Sequence, residues 1–212
     1  MRLTVFGATG GIGQEIVRQA LTAGHKVTAV VRDPARLTVT GEGLEVFRAD
    51  ALDPEAVRPA VAGRDAVLSG LGARNRADAA RGVATELTRG VLRAMDAEGT
   101  RRLLVVSAAP VGPQPADSPL LDRAMLGVVD RVLRDVYTDL TAMEAELAAS
   151  ATDWTSVRPP RLTDKPLTGS YRTVVGGFPR SGRTIARADV AHAMLGMIDD
   201  RGTVRQGVGV AY

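Results

Sequence analysis

The stretch Arg2-Leu3-Thr4-Val5-Phe6-Gly7-Ala8-Thr9-Gly10-Gly11-Ile12-Gly13 decides how the rest of the chain is read. Its first five residues make a short, mostly apolar run that predicts a buried strand. A Gly-x-x-Gly-x-x-Gly turn follows, and Ile12, Ile16, Val17, Ala20 and Leu21 then recur at helical spacing as far as Gly24, a helix stop. Lys26-Val27-Thr28-Ala29-Val30-Val31 is a second, β-branched run, which completes a strand–helix–strand unit of about 30 residues. A glycine turn in that context has a physical use. Gly7 turns tightly, Gly10 lets backbone N–H groups approach a pyrophosphate, and Gly13 lets helix and strand pack closely. The helix N-terminus adds partial positive charge. The loop from Gly7 through Gly11 to Gly13 therefore predicts a dinucleotide site.

The same alternation continues outward. Residues 44–47 predict a third strand with Asp50 just beyond it, and Pro54 begins a helix to Val61. Ala66-Val67-Leu68 predicts a fourth strand entering Gly70-Leu71-Gly72, and Val83, Leu87, Val91 and Met95 mark a long helix. Residues 103–106 predict a fifth strand with Ser107 at its end. Residues 110–119 read as a surface loop, followed by helical patterns over 120–133 and 140–147. Residues 154–157 predict a sixth strand, stopped by Pro159-Pro160. Turns, a helix over 189–198 and a strand near 208–210 complete the chain. This order predicts a single α/β domain over 1–212: a Rossmann fold, a doubly wound and mostly parallel sheet in three α/β/α layers, with a small C-terminal substrate-covering region. Ligands of such sheets bind at the C-terminal strand ends, where the strand order reverses. Gly7, Arg32, Asp50, Gly70, Ser107 and Pro159 all fall at such ends, which points to one site.

An NAD-preferring site of this kind places Asp or Glu about 20 residues beyond the loop. This chain has Arg32 there and Arg36 one helical turn later. Two guanidinium groups suit a 2′-phosphate, which a carboxylate would repel, so NADPH is the expected cofactor. Asp33 is adjacent, with its side chain expected to point away.

Composition narrows the chemistry. The 212 residues include no cysteine, which excludes disulfides, thiolate metal sites and thiol nucleophiles. His25 and His192 lack the neighbours of a zinc helix, and no metal site is expected. The net charge is +3, with arginines scattered among 24 acidic residues, so nucleic acid is not an expected partner. No apolar run approaches the roughly 20 residues that span a bilayer. Strand-like sequence begins within two residues of Met1, leaving no room for a signal peptide, and the expected location is the cytoplasm.

Several of these stretches together carry a family resemblance. They are Gly7 to Gly13, Val31-Arg32-Asp33 through Arg36-Leu37, Gly72-Ala73-Arg74-Asn75, and Pro159-Pro160-Arg161-Leu162 with Lys165-Pro166-Leu167-Thr168-Gly169-Ser170-Tyr171. In these the chain resembles atypical short-chain dehydrogenase/reductases, and among them the biliverdin-IXβ reductase (flavin reductase) branch. Trp154-Thr155-Ser156-Val157-Arg158-Pro159 is shared more broadly with NmrA-like NAD(P)-binding proteins. The resemblance implies that Thr9, Gly10 and Ile12 touch the phosphates and that Arg32 and Arg36 hold the 2′-phosphate. It implies that Asp50 and Ala51 bracket the adenine, and that Leu71, Gly72 and Arg74 line the pyrophosphate and ribose region. Ser107 and the Pro160-Arg161-Leu162 turn are then beside the nicotinamide. The chain departs from the branch at Arg161, where the pattern has His, and in the Arg- and Leu-rich stretch over 120–136. It is expected to act as a monomer.

The residues limit the reaction further. Ordinary short-chain dehydrogenases use Tyr-x-x-x-Lys for proton exchange. Here Thr141 stands four residues after Tyr137 and Val175 four after Tyr171. A planar conjugated acceptor such as a flavin, quinone or tetrapyrrole needs less acid–base help, so proximity and orientation carry more of the catalysis. The expected function is NADPH-dependent reduction of such a small molecule. Ser107 is expected either to bond the nicotinamide amide or acceptor, or to cap backbone. Arg161 either stabilises developing negative charge or is a solvated loop residue. Tyr137 is a proton-donor candidate that otherwise packs at a helix start. Glu144 reads as an exposed helical residue. The rival reading is an NmrA-like redox sensor that binds the dinucleotide without turnover; a sugar-nucleotide epimerase lacks both its dyad and its C-terminal domain.

Overall fold

Leu3 and Val5 of strand β1 (Arg2–Phe6) are buried against one core cluster and Phe6 against another. A strand buried on both faces needs cover on both sides, which parallel sheets obtain from crossover helices. The computed structural model describes residues 1–73, 75–113 and 120–212, with side chains outside 120–132. After β1 come α1 (Gly11–Thr22), β2 (Lys26–Val31), β3 (Leu44–Arg48), α2 (Pro54–Val61), β4 (Ala66–Ser69), α3 (Arg76–Ala80) and α4 (Val83–Glu98). Then follow β5 (Arg102–Val106), α5 (Leu120–Ala149), β6 (Asp153–Arg158), β7 (Arg161–Thr163), β8 (Arg172–Val175), β9 (Thr184–Ala186), α6 (Arg187–Gly196) and β10 (Gln206–Ala211).

Eight strands form one sheet in the order β3-β2-β1-β4-β5-β6-β10-β8, parallel except for β8, which runs antiparallel to β10. The order reverses between β1 and β4, whose registers pair Phe6 with Ser69. α1 and α6 cover one face through Ile16, Val17, Val190 and Met194. α2, α4 and α5 cover the other through Val57, Val91, Met95, Met143 and Leu147. The sheet is therefore the doubly wound, three-layer α/β/α arrangement that the alternation implies. No helix among the described residues is long and apolar enough to cross a membrane.

Local sequence explains the helix starts. Asp53 accepts from the N–H groups of Glu55 and Ala56, with Pro54 as the first helical residue of α2. The start of α4 is capped from a distance: buried Asp139 accepts from Ala84 N–H at 2.9 Å and Thr85 N–H at 3.0 Å. Asp139 sits on α5, so that cap also fixes α5 against α4.

Three expectations change. The two helical patterns over 120–133 and 140–147 belong to one continuous helix, α5. No Gly or Pro separates them, so nothing interrupts the i to i−4 ladder. The final helix begins two residues earlier than expected, at Arg187. The C-terminal turns contain strands too short for periodicity to reveal: β7 and β9 pair in a separate two-stranded parallel sheet, and β8 extends the main sheet.

Candidate functional site

The glycine loop is shaped by backbone contacts. Gly7 has φ +70°, and a Cβ there would stand 2.7 Å from the Gly70 carbonyl carbon. A Cβ on Gly13 would stand 2.1 Å from Gly7 O. The loops after β1 and β4 therefore touch at the reversal of strand order, with α1 pressed onto both. Gly10 N–H closes the turn on Gly7 O at 2.9 Å, and the first intrahelical bond runs from Gln14 N–H to Gly10 O at 2.8 Å. The N–H groups of Gly11, Ile12 and Gly13 are thus the orphan donors of the helix start, and Gly10 supplies no side-chain cap for them. Thr9 is half-buried, its carbonyl accepting from Gln14 Nε2 at 3.2 Å. Orphan donors, a helix dipole and no side chain in the way fit a bound pyrophosphate.

Arg32 and Arg36 are exposed at the end of β2 and in the short 3-10 turn after it. Among the described residues no ion pair occupies either guanidinium. Asp33 points elsewhere, as expected: its carboxylate accepts from Ala35 N–H at 3.1 Å. Asp50 is half-buried and accepts from Leu52 N–H, holding the turn that carries buried Ala51. Gly90 of α4 secures that turn, since a Cβ there would stand 1.9 Å from Ala51 O. Leu71 is half-buried, with its N–H on Ser69 Oγ at 3.3 Å, and Gly72 is exposed. Arg74 lies outside the described residues.

At the end of β5 stands Ser107, 6% exposed, with its N–H on Val157 O at 2.8 Å. Its Oγ is buried, with the Glu144 carboxylate as its neighbour. Beside it lies the group that the sequence misplaced: Glu144 is not an exposed helical residue. Its side chain is 11% exposed, accepts from Ser156 Oγ at 2.7 Å and from Arg158 Nε at 3.0 Å, and makes a second, shorter contact with Arg158 Nη2. The Arg158 guanidinium fits because Gly112 and Gly207 have no side chains; a Cβ on Gly207 would stand 2.2 Å from its Cζ. Burial pushes the Glu144 carboxyl up, but hydrogen bonding to Arg158, Ser107 and Ser156 outweighs it and holds the group below its ordinary value. A depressed folded value means stability that is complete above the unfolded value of 4.5 and is lost as pH falls through the folded one. Glu144→Gln is expected to cost about 2 kcal/mol at pH 7. It should also flatten the acid limb of stability against pH, which urea melts from pH 7 to pH 3 would measure.

Tyr137 is half-buried on α5, two turns before Glu144 and on the same helix face. That spacing sets their backbones about 10 Å apart. Pro160 and Leu162 are half-buried, and Arg161 is exposed as the first residue of β7. Gly7, Arg32, Asp50, Gly70, Ser107 and Pro160 thus all follow the C-terminal ends of strands on one sheet edge. Two cavities lie elsewhere. One of about 410 Å³ runs between the C-terminal ends of α4 and α5, crossed by the Arg89–Glu146 ion pair at 2.7 Å. The other, of about 550 Å³, lies at the opposite sheet edge around Met1, Asp65 and Arg102. Neither gathers orphan donors and exposed cations as the glycine edge does.

Comparison with known proteins gives the chain a family. Residues 7–201 match a family model described as NAD(P)H-binding. A 3-diazoavenalumate denitrifying reductase of a Streptomyces species is 40% identical over 136 residues, which are 58% of this chain and 42% of that protein. The chain therefore matches well under half the length of that relative. A protein of Burkholderia pseudomallei, described as exported, has a solved structure at TM-score 0.82 and 25% identity, covering 100% of both chains. A protein of Streptococcus pneumoniae, described as an NADH-flavin reductase, superposes at TM-score 0.79 with 21% identity, covering 100% of this chain and 99% of that one. At that identity the likeness concerns the fold.

Proposed function

The chain belongs to the NAD(P)H-binding family, and on that premise we propose that it is an NADPH-dependent reductase of a small planar conjugated acceptor. Bound at the glycine edge, the dinucleotide supplies the hydride. Gly10, Gly11, Ile12 and Gly13 present backbone to its phosphates, and Arg32 and Arg36 hold the 2′-phosphate. Leu71 and Gly72 line the ribose side, while Asp50 and Ala51 border the adenine. Ser107, Pro160 and Leu162 face the nicotinamide end. Arg161 stabilises negative charge that develops on the acceptor, and protons come from water or from Tyr137.

The observation that carries the reading is the uncapped start of α1, where the N–H groups of Gly11, Ile12 and Gly13 have no side-chain partner and the exposed Arg32 and Arg36 follow the neighbouring strand. Orphan helix donors and exposed cations at one place are satisfied together by a phosphorylated ligand. The Streptomyces relative is named as a reductase and the pneumococcal protein as a flavin reductase, which favours hydride transfer over isomerisation. The absence of Tyr-x-x-x-Lys favours an acceptor that needs little acid–base help.

The direct test offers FMN, riboflavin and a simple quinone in turn to the purified chain with NADPH. Consumption well above the protein-free rate is the expected result. No consumption while NADPH still binds would replace the reductase with a non-catalytic sensor. Ser107→Ala gives a sharper check. A serine with only a structural role would cost stability and leave turnover per folded molecule unchanged; here turnover per folded molecule is expected to fall about tenfold.

A further inference from the structure

Arg187 opens α6 and lies across the start of α1. A Cβ added to Gly11 would stand 2.6 Å from Arg187 Cδ and 3.0 Å from its Nε. Residue 11 lacks a side chain where the arginine passes, so the approach is built from both sides. The frame around it is tied down. Gln19 Nε2 of α1 donates to Ala188 O at 2.9 Å. Buried Asp189 accepts from Gly169 N–H at 2.8 Å and from the Tyr212 hydroxyl at 2.6 Å. The Arg187 side chain is 32% exposed and pairs at 2.5 Å with Asp164, whose side chain is 88% exposed. An ion pair with one member almost wholly in water contributes little to folding. The fold alone therefore gives no reason to keep this arginine against the glycine loop.

We propose that Arg187 is a pyrophosphate-binding residue, which closes over phosphates seated at the α1 N-terminus and is held ready there by Asp164. The inference rests on the dinucleotide reading of the glycine edge. Residues 7–13 carry no charge, and the helix end offers only about half an elementary charge against the two negative charges of a pyrophosphate. A guanidinium fork beside the orphan N–H groups of Gly11 and Ile12 supplies the missing charge and bonds two phosphate oxygens at once. The Asp164 carboxylate is a weaker, solvent-exposed anion that a phosphate displaces. Gly11 then has a role distinct from those of Gly7 and Gly13: it admits the arginine rather than shaping the turn.

Calorimetric titration of the full chain tests this, with NADPH, NADH, ADP and 2′-AMP as probes. Arg187→Gln is expected to weaken NADPH, NADH and ADP by about tenfold or more while changing 2′-AMP, which has no pyrophosphate, less than about twofold. Arg187→Lys, which keeps the charge without the fork, should fall between. Asp164→Asn should bind all four as well as wild type or tighter. Wild-type binding with no loss in Arg187→Gln overturns the proposal and leaves the dinucleotide reading standing. An equal loss for 2′-AMP, or a matching loss in Asp164→Asn, also overturns it, because either marks a structural ion pair. A wild-type chain that binds neither NADPH nor NADH removes the dinucleotide reading, and this inference with it.

Discussion

Gly13→Ala is expected to lower the stability of the fold by about 3 kcal/mol and to remove measurable NADPH binding. The added methyl would stand 2.1 Å from Gly7 O, 2.7 Å from Gly7 C and 2.9 Å from Ala8 Cα, all backbone atoms. No rotamer relieves such a contact; one segment of chain has to move. The loop cannot retreat, because Gly7 already lies against Gly70 and its own φ of +70° leaves little freedom. The helix cannot retreat without pulling buried Ile12, Ile16 and Val17 off the sheet. Either movement spoils the row of N–H groups to which the proposed function assigns the phosphates. Gly196→Ala is the control. A Cβ there meets nothing within 4 Å, and it ends α6 as an exposed residue, so the substitution is expected to be neutral or to stabilise by under about 1 kcal/mol. Urea denaturation followed by circular dichroism separates the two variants.

Arg32→Glu is expected to weaken NADPH by about 100-fold, or roughly 2.7 kcal/mol, while NADH changes by no more than about threefold. Arg32 stands exposed at the end of β2, and no described residue engages its guanidinium. The change therefore removes nothing the fold depends on. On the proposed function it replaces a bidentate phosphate partner with a carboxylate that repels the 2′-phosphate, yet a carboxylate here is what NAD-preferring sites use for ribose hydroxyls. Equal losses for the two dinucleotides would place the 2′-phosphate elsewhere. Unchanged melting temperatures would confirm that the effect is on binding.

The regular core of the fold was legible because each central strand is a short apolar run and each crossover helix has its own punctuation. Gly24, Pro54 and Pro159 stand at element boundaries that the structure places within a residue or two. The glycine loop was legible because strand, turn and helix occur together, and the contacts of Gly7 and Gly13 supply the physical reason for both residues. What stayed hidden depends on contacts between distant segments. Glu144 and Arg158 are 14 residues apart on different elements, and Ala142-Met143-Glu144-Ala145-Glu146 has the composition of a solvated helix face. Gly90 reads as a weak point in a helix until Ala51 O is found against it. Arg187 is one arginine among many until Gly11 shows what it covers. Strands β7 and β9 have three residues each, too few for any periodicity. The join between the two helical patterns in α5 was misread, although Arg134-Asp135-Val136-Tyr137-Thr138-Asp139 contains no helix breaker.

The central claim is that the glycine edge holds a dinucleotide through its phosphates and selects the 2′-phosphorylated form. Equilibrium titration of the wild-type chain with NADPH and with NADH, in one buffer at fixed salt, tests it most directly. The account predicts saturable binding of NADPH at a single site, with NADH weaker by about tenfold or more. Equal affinities, or no saturable binding of either, would contradict it.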